Sequence, residues 1–200
     1  MKTNSATVRS VTNRIVYMLD QSLETSSGKA TLANLRNSIG KPLSQSVDIW
    51  PLMFENLPEE FLSQGQAETK KEKAILSTLQ LYALYRQGKK ASARECAQET
   101  GYKNIGHSLG ALRRGENSVA MDRRFNALVT ATTYNELIHH LRQMIQLLKS
   151  KTSGEEAIDF GRLAQDLYGF LIGRDESMRL IWARAYYRTN PKGGTENDQS

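Results

Sequence analysis

A single cysteine, Cys96, occurs among the 200 residues, so no disulfide can close within the chain. The expected setting is a reducing, cytoplasmic one. Proline is scarce, and three of the four prolines, Pro42, Pro51 and Pro58, fall within residues 40–69. The rest of the sequence is nearly free of the strongest helix breaker. No apolar run approaches the roughly 20 residues a bilayer span requires. The opening stretch MKTNSATVRSVTNR lacks the apolar centre of a secretion signal. The three histidines, His107, His139 and His140, match neither the HExxH spacing nor a paired-cysteine zinc pattern. A glycine-rich phosphate loop is also missing, as is a carboxylate pair spaced for metal-assisted phosphodiester cleavage. These absences argue against catalysis and predict no metal and no cofactor. Cys96, in ARECAQE, reads as a small core residue and not as a nucleophile.

What the sequence does have is helical periodicity. Val8, Val11, Ile15, Met18 and Leu19 recur at three-and-four spacing, as do Ile75, Leu79, Tyr82 and Ala83. The same spacing runs through Leu137, Ile138, Leu141, Ile145 and Leu148, and through Leu163, Leu167, Phe170 and Leu171. No period-two run of β-branched residues competes with it. Helix starts are marked by Asn56 before Pro58, by Thr133 with Glu136, by Asp159 and by Asp175, while Gly173 marks a stop. The expectation is an all-α chain of about nine or ten helices. It is read as two small helical bundles joined by a short linker: residues 1–100, then 101–190, with 191–200 a polar disordered tail. The boundary is placed at 88–104, where GKKASARECAQETGYKN breaks the pattern. Trp50 and Phe54, in the irregular stretch 40–69, are expected to plug the core rather than form a ligand platform.

Charge is present in excess of one sign, and it is unevenly distributed. The formal net charge is +6, with 27 Lys and Arg against 21 Asp and Glu. Residues 101–151 carry eight basic and three acidic side chains, while 152–200 carry six and eight. The stretch SLGALRRGENSVAMDRRF places Arg113, Arg114, Arg123 and Arg124 where local acids are too few to neutralise them. A concentrated surplus of guanidinium groups points to a phosphate-bearing partner.

Helical phase sharpens that reading. Ile105, Leu109 and Leu112 form a buried stripe, which leaves His107, Gly110, Ala111 and Arg114 on another face, with two small residues that let a second backbone approach. Phe125, Leu128 and Val129 turn Arg123 and Arg124 to the flanks of their helix. Arg142, Gln146 and Lys149 share a face opposite Leu137 and Leu141. A short echo, TLANLRN against SLGALRR, adds Arg36 in the N-terminal half, flanked by Lys29 and Lys41. The candidate nucleic-acid-binding set is therefore Lys29, Arg36, Lys41, His107, Arg113, Arg114, Arg123, Arg124, Arg142 and Lys149. The competing reading is a solvated basic surface tied down by acids such as Glu116 and Asp122. ARECAQETGYKNIGHSLGALRRG also resembles a helix-turn-helix, but its arginines sit at the C-terminal end of the second helix, whereas a recognition helix reads bases from its N-terminal part.

The segments SLGALRRG, DRRFNALVTA, HHLRQMIQLLK, IDFGRLAQDLYGF and WARAYY, in this order, resemble the CasB family, the small subunit of the type I-E CRISPR surveillance complex Cascade. The resemblance covers most of 104–190 and, more loosely, TLANLRN and Trp50-Pro51. Family members often carry two basic residues where this chain has Arg36-Asn37, and a Trp where it has Phe160. The resemblance implies a non-catalytic, all-helical subunit of two bundles, present in two copies. Its partners would be the backbone and large subunits, the crRNA, a second copy of itself and the displaced non-target DNA strand, with no membrane and no small-molecule substrate. Its implied work is to steady the assembly and hold that strand in a basic groove. The alternatives are an adaptor that contacts only protein and crRNA, and a duplex-binding helix-turn-helix.

Overall fold

The computed structural model describes residues 6–65, 67–88, 103–113 and 118–188. Among them are nine α-helices and no strand: α1 Val8–Gln21, α2 Ser26–Asn37, α3 Trp50–Phe54, α4 Lys70–Arg86, α5 Ile105–Gly110, α6 Ser118–Val129, α7 Tyr134–Lys151, α8 Phe160–Leu171 and α9 Asp175–Arg188. Short 3-10 turns cover Leu43–Gln45, Val47–Ile49, Glu59–Phe61 and Ala111–Arg113. The all-α expectation holds. Cys96, Arg114, Glu116, most of the 88–104 segment and the 191–200 tail lie outside the described residues.

Helix α4 is the axis of the molecule. The sequence shows one apolar stripe in it, yet the helix is buried nearly all round, polar residues included, as expected of a helix surrounded by others. It packs against α1, α2, α7 and α8. Several of its buried polar groups are satisfied internally, although the Arg86 Nε and Nη2 atoms make no hydrogen bond among the described residues. Gln80 donates to the Ser38 carbonyl at 2.7 Å, Thr78 to the Ala74 carbonyl at 2.8 Å, and Tyr82 to Asp20 on α1 at 3.0 Å. Asp20 also pairs with Arg86 at 3.2 Å, both side chains being nearly inaccessible.

Helix α8 completes this core from the far end of the sequence, seated against α1 and α4. Asp159 caps it by accepting from the Arg162 amide at 2.7 Å and holds Arg9 of α1 at 2.7 Å. A Cβ on Gly161 would lie 2.0 Å from the Asn13 side-chain oxygen, so the bare glycine leaves room for the Asn13 amide between α1 and α8. Phe160 meets Tyr82 edge-on, centroids 5.3 Å apart. Across the expected bundle boundary the buried apolar residues form one continuous cluster, from Val8 to Tyr186.

The C-terminal helices build a second layer around α9. Met178, Trp182, Ala185 and Tyr186 face inward. Trp182 is wholly buried, and its indole N–H donates to Asp166 of α8 at 2.8 Å. Gly106 admits the α9 backbone: a Cβ there would lie 2.2 Å from the Trp182 carbonyl oxygen. Gly173, at φ +81°, ends α8 as its spacing predicts.

Three local expectations are corrected. Asp175 does not cap α9 but sits in its first turn, paired with Arg179 at 3.2 Å. Asn56 starts no α-helix; it donates to the Leu52 carbonyl, and only a 3-10 turn follows Pro58. Trp50 and Phe54 do not plug the core: they stand 37% and 46% exposed. The face of the short α3 that turns inward carries Met53 instead.

Candidate nucleic-acid interface

The arginine pairs that stand out in the sequence are divided by the fold. Arg113 is neutralised within the chain. Its guanidinium makes two hydrogen bonds to Asp122, at 2.9 and 3.3 Å, and lies over the rings of Tyr186 and Tyr187, at 5.6 and 4.9 Å from their centroids. Tyr186 donates to the same carboxylate at 3.0 Å and stacks on Phe125 at 3.8 Å. Burial first, then the Asp122 carboxylate, push the Tyr186 hydroxyl's pKa up, so the phenol stays protonated and keeps donating. Arg113 thus follows the competing reading, a cation tied down by Asp122, because the turn Ala111–Arg113 delivers it onto α6.

Lys149 is also engaged: its ammonium donates to the Leu84 carbonyl at 3.0 Å, reaching the C-terminal end of α4, where carbonyls lack intrahelical partners. Lys29 lies beside Glu24 at 3.4 Å, both well exposed. His107 is half-buried and has a partner. Arg36 is half-buried on α2.

The remaining candidates gather around α7. On one side, a groove of about 420 Å³ is lined by Lys41, Glu68, Lys73, Tyr134, His139 and Arg142. Glu68 is partly occupied by the Leu43 amide, which donates to it at 3.1 Å. Lys73 reaches over the Tyr134 ring, 5.2 Å from its centroid. On the other side, a shallower groove of about 250 Å³ between α6 and α7 is lined by Arg123, Arg124, Ala127, His140, Gln143 and Met144. The exposed ridge of α7 separates them. Its His139 and Gln143 are hydrogen-bonded at 3.0 Å, and the His139 and His140 rings lie 5.4 Å apart. Arg123, Arg124 and Arg142 are exposed, and no carboxylate among the described residues pairs with them.

Lys41, Lys73, Arg142, Arg123 and Arg124 therefore flank one helix and offer cationic donors on either side of a ridge of imidazole and amide groups. Cationic donors arranged in this way suit phosphate oxygens and require no base readout. Sequence reasoning missed Lys73, which joins the groove through a contact between α4 and α7, and weighed His139 only as a metal ligand. The three-residue step from His139 to Arg142 on one helix was the available signal. Among the described residues no group of three or more His, Cys, Asp or Glu side chains could hold a metal ion, and no helix is long and apolar enough to cross a membrane.

Residues 31–187 match the family described as CRISPR-associated protein Cse2. The chain belongs to the Cse2 family. Solved structures share the fold. CasB from Thermobifida fusca is 23% identical with a TM-score of 0.68, over 90% of this chain and 97% of that one. A Cse2-family CRISPR-associated protein from Thermus thermophilus is 23% identical with a TM-score of 0.62, over 88% and 97%. A chain of a CRISPR RNA-guided surveillance complex is 18% identical with a TM-score of 0.69, over 92% and 95%. No curated protein sequence matches the chain.

Proposed function

We propose that this Cse2-family chain is the non-catalytic small subunit of a type I-E Cascade complex, and that the cationic surface flanking α7 holds the displaced non-target DNA strand of the R-loop. The observation that carries the reading is the set of exposed, unneutralised cations Lys41, Arg123, Arg124 and Arg142, with the half-buried Lys73 beside them, on the two grooves along one helix. A displaced strand presents phosphates and no fixed sequence, and cationic side chains without base contacts suit it. R-loop formation is nearly balanced in energy, so sequestering the extruded strand opposes rewinding of the duplex. The likeness to a chain of a surveillance complex supports partnership with the backbone and large subunits, with the crRNA and with a second copy.

The test is a salt titration of R-loop binding by complexes carrying Arg123→Ala with Arg124→Ala, normalised for subunit occupancy. Each lost phosphate contact should lower the slope of log affinity against log salt by about 0.7. An unchanged slope with reduced occupancy would instead support an adaptor that faces only protein and crRNA. A loss confined to one duplex sequence would support the helix-turn-helix reading.

A further inference from the structure

Val47, Trp50 and Phe54 form an exposed apolar strip on the turn before α3 and on α3 itself, 59%, 37% and 46% accessible respectively. The Trp50 and Phe54 rings are neighbours, centroids 6.0 Å apart and tilted by 41°. Trp50 is not loose. Its indole N–H donates to the Leu43 carbonyl at 2.8 Å, which fixes the ring by its edge and leaves part of its surface in solvent. The same Leu43 has its amide held by Glu68 at 3.1 Å, and Glu68 lines the groove with Lys41, Lys73 and Arg142. A single residue, Pro42, separates Leu43 from Lys41, at most about 7.6 Å between their Cα atoms. The Leu43 backbone thus ties an aromatic surface to the mouth of a cationic groove.

We infer that Trp50, with Phe54 beside it, is a base-stacking platform for single-stranded nucleic acid whose phosphates run along Lys41, Lys73 and Arg142; this rests on the strand-holding reading above. Sequence-independent single-strand binding combines a cationic track with exposed aromatic faces, because every base has a stackable face. The charge around the strip fixes which part of a nucleotide would meet it. Asp48 and Glu55 are exposed on either side of Trp50 in sequence, so a phosphate laid there would be repelled, whereas a neutral base would not. The track supplies the cations and the platform supplies the stacking surface. A protein segment is the competing occupant, and the experiment separates the two.

The chain contains two tryptophans, and Trp182 is wholly buried, so quenching by a stacked base reports on Trp50. The purified full-length chain is titrated with oligothymidylate. Expected are quenched tryptophan fluorescence on binding, and for Trp50→Ala an affinity loss of roughly five- to 150-fold with an unchanged salt slope. Lys41→Ala or Arg142→Ala should instead lower the slope. Phe54→Ala, which breaks no hydrogen bond of its own ring, should weaken binding in the same salt-independent way and serves if Trp50→Ala does not fold. Binding of oligothymidylate with unquenched fluorescence and wild-type affinity in both variants overturns the platform and leaves the groove standing. Failure of the wild-type chain to bind at low salt overturns both. Loss of incorporation into the assembled complex with strand affinity intact in Trp50→Ala also overturns the platform and makes the strip a protein contact.

Discussion

Asp122 accepts from Arg113 and from Tyr186 at once, so the two partners differ in what their removal does. Asp122→Ala leaves a partly buried phenol and a guanidinium without their acceptor, and should cost about 1–3 kcal/mol in chemical denaturation. Arg113→Ala should lower stability while leaving the salt slope of strand binding unchanged. Arg123→Ala, at an exposed position, should do the opposite: a stability change within about 0.5 kcal/mol and a reduced slope. A slope that drops with Arg113→Ala would return this residue to the strand-binding set. The competing reading of the sequence names Asp122 among the acids that could tie the arginines down, but not which arginine it takes, because Asp122 lies on the next helix and meets Arg113 only after the turn at Ala111–Arg113 has formed.

Helix α9 is positioned by one large residue and one absent side chain. Trp182→Ala removes a wholly buried indole and should destabilise by about 3–5 kcal/mol. Gly106→Ala places a methyl against the α9 backbone, and the overpacking should cost about 1–3 kcal/mol or more. Both should melt α9 from its partners, seen as a fall in the chain's thermal midpoint. Asp166, which accepts from the Trp182 indole, is pushed up chiefly by burial, against the opposing donors Trp182 and Arg162. Its folded pKa lies above the unfolded value, so its contribution to stability is complete below the unfolded pKa of about 3.9 and is lost as pH rises through the folded one. The melting difference between Asp166→Asn and the parent should therefore shift in the variant's favour as pH rises above about 4; a shift the other way would mean that the Trp182 and Arg162 bonds outweigh burial.

The inward faces of α1, α7 and α8 were readable because amphipathic spacing records which side of a helix meets the core. Asp159, Thr133 and Gly173 were readable as end signals for the same local reason. Burial of α4 on every side was not, since Gln80 and Arg86 meet partners on other elements that sequence separation conceals, while Thr78 turns its hydroxyl back to the Ala74 carbonyl of its own helix. Trp50 was misread because size and apolarity favour burial on average, while the inward face of a helix only five residues long is taken by Met53. Of the cationic set, the exposure of Arg123, Arg124, Arg142 and Lys41 was legible, whereas the company they keep is decided by how α4, α6 and α7 pack.

At the scale of the whole molecule, α8 is the piece that the N-terminal helices lack. It buries Leu163 and Leu167 in the cluster that also holds Ile15 and Tyr82. Residues 1–88 expressed alone should therefore show no cooperative melting, and neither should 103–188; mixing the two should restore helicity by circular dichroism along with a single transition. Two independent transitions would instead support separable bundles.

The pairing of Arg9 with Asp159 and the seating of Gly161 on Asn13 join parts of the chain that a ribosome makes far apart in time. α1, α2 and α4 leave the exit tunnel with the surface of Ile15 and Tyr82 formed but unroofed. They must wait while about seventy more residues are translated, a pause of roughly four to fifteen seconds at ordinary elongation rates. For that interval the nascent chain is a sticky, incompletely closed intermediate, and a cell that makes it in quantity would need either a chaperone at the tunnel mouth or fast synthesis of the stretch leading to α8.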